Sequence, residues 1–380
     1  MRLYEFEGSA LFRQEGIAVP DYAVTASPQE ARQKAQEIGL PVIIKAQILV
    51  GGRGLAGGVQ TADSLEQVGE VVQRILDRPI KGFPVHRVMV AQKVEIEREF
   101  YLGVTVDGYS GTPVVILSAG GGVSIEEAAR IHPEQVASRQ VPITKGLSLS
   151  EAQQMAQEVG LEQGELVQVA ATLHILYDIF RKHDALVTEI NPLVRTTKGT
   201  YLAVDAKVEV DDASLYRHPN FQVVLEDRIL NPLERKGRQI GVTYVDLDGE
   251  IGIIASGAGL GMASMDIISQ RFRPANFLET GGAITAELLY QVMNLVLQKK
   301  GLKGIFINLY GGINPIHDGA KGIVSYIREH KITIPIVAKV LGNRQEETWE
   351  VLKEQGITVA TEVATEKGVE QLAQLLEGEK

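Results

Sequence analysis

Apolar and polar residues alternate through Leu186-Val187-Thr188-Glu189-Ile190 and again through Tyr201-Leu202-Ala203-Val204-Asp205, with Thr197-Lys198-Gly199-Thr200 between them. A period of two is the mark of paired strands, so this stretch reads as a β-hairpin. Elsewhere the period is helical. Leu3, Phe6, Ala10 and Leu11 mark a helix from Leu3 to Glu15 that ends at Gly16. Ser27-Pro28-Gln29-Glu30 supplies a capping residue, a proline at the first helical position and a carboxylate in the first turn of a second helix, which runs to Gly39. Pro41–Gln47 is then a buried strand, Ser64–Leu76 a helix, Arg87–Asp107 strand-like with a candidate hinge at Met89–Gln92, and Asp107-Gly-Tyr-Ser-Gly a turn into Thr112–Ser118, giving antiparallel strands. A helical stretch from Ser150 to Lys182, capped by Ser150 and broken at Gly160 and Gly164, leads into the hairpin.

The pattern changes beyond Asn231–Gly249, a charged and turn-rich segment expected to link two domains. Strands at Ile251–Ala255, Ala275–Leu278, Gly304–Leu309, Ile334–Val340 and Thr358–Ala360 are each followed by a helical segment, which describes a doubly wound parallel sheet. Loops after these strands begin Ser256-Gly257, Glu279-Thr280, Tyr310-Gly311-Gly312-Ile313-Asn314 and Leu341-Gly342, at helix N-termini where anions bind.

At 380 residues the chain is too long for one core. Its 44% apolar and 23% charged residues are those of a globular protein, and no apolar run is long enough to span a membrane. Met1–Glu7 lacks the features of a secretory signal and there is no cysteine, so a cytoplasmic location is expected. A formal charge of −10 argues against nucleic acid as a partner.

Candidate chemistry begins in the hairpin. Asn191 and Asp205 can lie side by side across it, with Glu189 on the same face as Asn191. One carboxylate and one amide carbonyl suit Mg²⁺, which takes the rest of its ligands from water and phosphate, though an ordinary exposed hairpin would read the same. Lys45 in an apolar strand needs a partner, either an internal carboxylate or an anionic ligand. Val50–Val59, V-G-G-R-G-L-A-G-G-V, holds five glycines and Arg53, and can aim backbone N–H groups at a polyphosphate without being a Walker loop. Gly257-Ala-Gly-Leu-Gly261 with Glu279 imitates a dinucleotide fingerprint, but Met262 stands where its third glycine belongs. A non-catalytic nucleotide-binding scaffold is the third alternative. None of the seven histidines sits in a glycine-rich loop, and His174 on an apolar helix is expected in the core.

Lys45, the G-G-R-G-L-A-G-G flap, Glu99 before F-Y-L-G, E-I-N-P-L and V-D-A-K together resemble the ATP-grasp family, and within it the β subunits of succinyl-CoA synthetase, along the whole chain. The resemblance implies an α/β protein, an α+β ATP-grasp domain over residues 1–230 with a smaller subdomain at 21–100, a linker at 231–249, and a flavodoxin-like CoA-ligase domain over 250–380. It implies nucleotide contacts from Lys45, Gly52, Arg53, Gly54 and Glu99, Mg²⁺ ligation by Asn191 and Asp205, and a Glu189 that faces a phosphohistidine brought by an α subunit, which also carries the CoA site. Substrate contacts fall on Ser256, Gly312, Ile313 and Asn314. The implied reaction joins a carboxylic acid to CoA while ATP goes to ADP and phosphate. Leu55, Ser9 and Ala91 replace charged residues usual in the family, and Pro20 leans toward adenine. Pro315 stands in place of an arginine, with His317 close by and Ser256 where asparagine is usual, which raises another acid, such as malate, as an alternative to succinate.

Overall fold

In a computed structural model the structure describes residues 1–122, 125–219, 221, 228–282, 284–313 and 316–378. The chain forms two compact units, Met1–Gln222 and Val223–Lys380.

The first unit opens on α1 (Glu5–Gln14), with Glu5 and Glu7 in its first turn, where unpaired N–H groups favour negative charge. There follow β1 (Tyr22–Thr25), α2 (Pro28–Ile38), β2 (Val42–Ala46), β3 (Val59–Ala62), α3 (Leu65–Leu76) and β4 (Val88–Gln92). Helix α2 begins and ends as its sequence predicts: Ser27 accepts the Glu30 N–H, and Gly39 leaves the helix at φ 95°. The strands make an antiparallel sheet ordered β1-β4-β2-β3. Val42, Ile44, Ala46, Val88 and Val90 point into a core shared with Ala35, Val68 and Val72 of the two longer helices. Strand alternation therefore turns Ile43, Lys45, Met89 and Ala91 to the opposite face. The candidate hinge at Met89–Gln92 lies within β4.

The rest of this unit contains β5 (Ile96–Val106), β6 (Pro113–Ser118), α4 (Ile125–Ile131), β7 (Val136–Gln140), α5 (Leu149–Glu158), α6 (Gln163–Lys182), β8 (Ala185–Thr196), β9 (Tyr201–Ala203) and β10 (Lys207–Val210). Their sheet runs β10-β8-β5-β6-β7, with β9 also on β8. Helix α5 is capped by Ser148 rather than Ser150, because Glu151 lies three residues after Ser148 and completes a capping box. The hairpin also departs from expectation: β9 is short, Val204–Ala206 leave the ladder, and the chain rejoins β8 with Lys207 opposite Glu189.

The second unit comprises α7 (Pro232–Gln239), β11 (Thr243–Asp246), β12 (Ile251–Ala255), α8 (Ala258–Ser269), β13 (Asn276–Glu279), α9 (Ala286–Val296), β14 (Gly304–Gly311), α10 (Ile316–His330), β15 (Ile336–Gly342), α11 (Gln345–Lys353), β16 (Thr358–Ala360) and α12 (Thr365–Gly378). The sheet order is β11-β13-β12-β14-β15-β16, parallel except at β11. The segment 231–249 is thus not a linker. Asn231 caps α7 by accepting the Leu233 N–H at 2.8 Å, β11 is an edge strand, and Lys299 holds Asp246 at 2.8 Å. An edge element buries little besides Tyr244, so its composition reads as loop. Ile254, Leu289, Val296, Ile307 and Ile323 form the main core of this unit. Among the described residues no helix is long and apolar enough to cross a membrane.

Candidate nucleotide and phosphoryl-transfer site

The exposed face of β2 and β4, the glycine-rich flap, β5 and the end of β8 enclose a cavity of about 400 Å³ in the first unit. Lys45, Gly52, Arg53, Gly54, Glu99, Asn191 and Asp205, spread over 161 positions of sequence by their numbering, all line it. Asn191 and Asp205 reach the same cavity wall because Leu193 pairs with Ala203, Val204 N–H donates to Pro192 O at 3.2 Å, and Lys207 pairs with Glu189. The Asn191 side-chain oxygen accepts the Gly122 N–H at 2.9 Å.

The two cations converge on a residue that the sequence pattern did not single out. Glu5, 4% exposed, takes Lys45 Nζ at 2.7 Å, the Arg53 guanidinium, and Gln47 Nε2 at 3.4 Å. Arg53 also reaches Ala46 O at 3.0 Å and Asp205 at 3.2 Å. Burial pushes the Glu5 pKa up, but the charges of Lys45 and Arg53 outweigh it and leave the carboxyl below its ordinary value. Lys45 therefore has its internal partner and still borders the cavity. Asp205 goes the other way. Loss of water around it, and then the Glu5 charge, raise its pKa above that of an ordinary aspartate, although its side chain stays 45% exposed toward the cavity. A carboxylate whose charge is disfavoured in this way gains most from a cation. Among the described residues no group of three or more His, Cys, Asp or Glu is placed to hold a metal.

Glu189 does not line this cavity. It borders a second one of about 750 Å³ together with Tyr101, Glu126 and Lys207, and its carboxylate accepts from Lys207 Nζ at 2.7 Å. Burial, then the Glu189 and Glu126 charges, push the Tyr101 hydroxyl pKa up and keep it protonated.

In the second unit Ser256 ties β12 to β14: its hydroxyl accepts the Tyr310 N–H at 2.7 Å. Gly312 and Ile313 follow β14, with Ile313 93% exposed, while Asn314 and Pro315 lie outside the described residues. His317, near the start of α10, is buried, and its Nδ1 has no hydrogen-bond partner.

Residues 2–195 match the ATP-grasp domain model and residues 254–372 the CoA-ligase model. A Thermus thermophilus protein named the β subunit of a GDP-forming succinate–CoA ligase is 41% identical over 93% of each chain. A Desulfurococcus amylolyticus protein named the β subunit of an ADP-forming succinate–CoA ligase is 39% identical over 100% of both. This chain belongs to the succinate–CoA ligase β-subunit family. The fold is shared more widely: an ATP citrate lyase from Methanothrix soehngenii superposes with a TM-score of 0.76 at 17% identity, covering 98% of this chain and 99% of that one. Family membership removes the dinucleotide alternative, and the geometry agrees, since Glu279 is taken by Thr243 Oγ1 at 2.8 Å and the Gly281 N–H at 2.9 Å. Of the positions at which this member departs from the family pattern, Ser9 and Ala91 line the first cavity, as does Pro20, and Leu55 lines the second with its side chain fully exposed. His174 is at the edge of the core instead of inside it: its Nδ1 meets Leu147 O at 2.8 Å and its ring is 35% exposed.

Proposed function

We propose that the chain is the nucleotide-binding β subunit of a succinate–CoA ligase, working in the cytoplasm with an α subunit that carries the phosphohistidine and the CoA site. The overall reaction converts ATP, succinate and CoA to ADP, phosphate and succinyl-CoA. The observation that carries this reading is the convergence of Lys45, Arg53, the flap glycines, Glu99, Asn191 and Asp205 on one cavity, with Glu189 lining a second. Phosphoryl transfer needs positioning and charge neutralisation more than covalent help from protein. Lys45, Arg53 and the N–H groups around Gly52 and Gly54 neutralise and align the triphosphate. Glu99 faces the same cavity to receive a ribose hydroxyl. Asn191 and Asp205 would hold Mg²⁺, which when bound screens charge between phosphates. Glu189 accepts the N–H of the incoming imidazole and thereby fixes the tautomer whose other nitrogen attacks phosphorus. In the second unit Ser256, Gly312, Ile313 and Asn314 are our candidates for contact with the phosphohistidine and the acid.

Adenine is our preferred base, with Pro20 and the backbone of Ala91 and Gln92 on the cavity wall. A second acid is the alternative because Pro315 replaces an arginine in the sequence and His317, two residues on, is buried with an Nδ1 that has no hydrogen-bond partner among the described residues. Reconstitution with the α subunit and assay of ATP and GTP against succinate, malate and longer acids tests the reading. We expect succinate with ATP to lead in kcat/KM. Absence of any acid-dependent CoA ligation would sink the assignment, and a lead of about tenfold for another acid would correct the substrate.

A further inference from the structure

The two cavities of the first unit share four lining residues: Gly52, Gly54, Asn191 and Lys207. Two are flap glycines and one is the candidate metal ligand, so among the described residues Lys207 is the only charged side chain that borders both. Its position is fixed from below. Lys207 opens β10 directly opposite Glu189 on β8, and its ammonium lies 2.7 Å from that carboxylate while its side chain remains 41% exposed. Val204–Ala206, which leave the ladder just before it, are themselves part of the first cavity's wall. An ammonium on a flexible stem has three donors, so one hydrogen bond to Glu189 leaves others to offer.

We propose that Lys207 is a catalytic residue, the cation that accompanies the phosphoryl group from the nucleotide cavity to the Glu189 cavity. The inference rests on the nucleotide-subunit reading above. In the step concerned, the bond between the γ-phosphorus and the bridging oxygen breaks and its electron pair stays on the departing nucleoside diphosphate. An imidazole nitrogen supplies the lone pair for the new P–N bond, and the ring's other N–H remains on Glu189. No atom changes oxidation level and no further reactant is needed. In transit the PO₃ group is fully bonded to neither partner and its charge is spread over its three equatorial oxygens, and Lys207 is the group whose charge lies along that boundary. Its pairing with Glu189 also stops the two from drifting apart before the imidazole arrives.

The test is single-turnover phosphorylation of the α subunit by the full complex at saturating Mg-ATP, with Mg-nucleotide affinity measured separately. Lys207→Met is expected to lower the saturated transfer rate about 100-fold, as loss of a donor aimed at developing charge does elsewhere, while the nucleotide Kd stays within about threefold. Lys207→Arg, which keeps the charge, should recover to within about tenfold of the parent. A lysine that merely fastened β10 to β8 would lower Tm and leave the saturated rate alone, and that result overturns the proposal. So does a Lys207→Met penalty that vanishes in a Glu189→Gln background, because the role would then be confined to holding that carboxylate. If the parent complex binds no Mg-nucleotide or transfers nothing, the nucleotide-subunit reading fails and this inference with it.

Discussion

Asp205 and Glu5 lie on the same arginine, yet their pKa values move in opposite directions, and the consequences can be separated by pH. Glu5 is lowered, so its stabilising contribution is present above the unfolded glutamate pKa and is lost as pH falls through the lower folded value. Asp205 is raised, so its contribution is present below the unfolded aspartate pKa and is lost as pH rises through the higher folded value. Burial and Glu5 thus disfavour the Asp205 charge in the folded chain. We predict that Asp205→Asn leaves Tm at pH 7 no lower than the parent's without nucleotide, but abolishes the stabilisation by Mg-ATP. That stabilisation should be about 2.7 kcal/mol at a hundredfold excess over Kd in the parent. In the parent, affinity for Mg-ATP should fall on acidification from a pH above the ordinary aspartate range, whereas the variant stays flat. Calorimetry across pH checks both, and a clear drop in the variant's Tm would show that Asp205 is stabilising as it stands. Glu5 itself was not legible in the sequence. Its partners lie 40 and 48 residues away, and L-Y-E-F-E has the spacing of any capped helix start.

The loop after β6 meets β5 and β8 through its backbone. A Cβ on Gly121 would come within 2.9 Å of the Phe100 backbone, which cannot give way within a paired strand. Its neighbour Gly122 donates to the Asn191 carbonyl. Gly121→Ala should therefore shift that N–H and turn the Asn191 amide. We expect Mg-nucleotide affinity about tenfold weaker, roughly 1.4 kcal/mol, with the far-UV spectrum unchanged; calorimetric titration measures it, and parental affinity would mean that the Gly122 contact is dispensable. Local elements were readable where one local force dominated. Ser27 and Gly39 bound α2 as expected, and Pro41–Gln47 holds the expected strand with a Lys45 that has found a carboxylate. Reading failed where a competing local signal or a distant neighbour decided: Glu151 selected Ser148 over Ser150 as cap, and β13 made a strand of Thr243–Asp246.

Each unit carries its own apolar core, and every residue assigned to the nucleotide belongs to Met1–Gln222. Ile254→Ala, in the fully buried centre of the second unit, should cost that unit about 2–5 kcal/mol through lost burial and a cavity. Hydrogen exchange should report the loss within Val223–Lys380, with the Mg-nucleotide Kd unaltered; a weakened Kd would refute this separation. The chain as a whole bears a charge of −10, while Arg2, Lys45 and Arg53 border the nucleotide cavity together with Glu5, Glu99 and Asp205. Fixed cations are thus held there by neighbouring carboxylates in a protein that is otherwise acidic. The boundary that this cavity shares with the Glu189 cavity is built largely of glycine. Gly52 and Gly54 bring no side chain of their own to bar a stray water from the triphosphate, so exclusion of solvent depends on whatever fills the Glu189 side. The consequence is one of energy economy: with that side open, hydrolysis competes with transfer, and the ratio of wasted to productive turnovers becomes a measure of how completely the second cavity is filled.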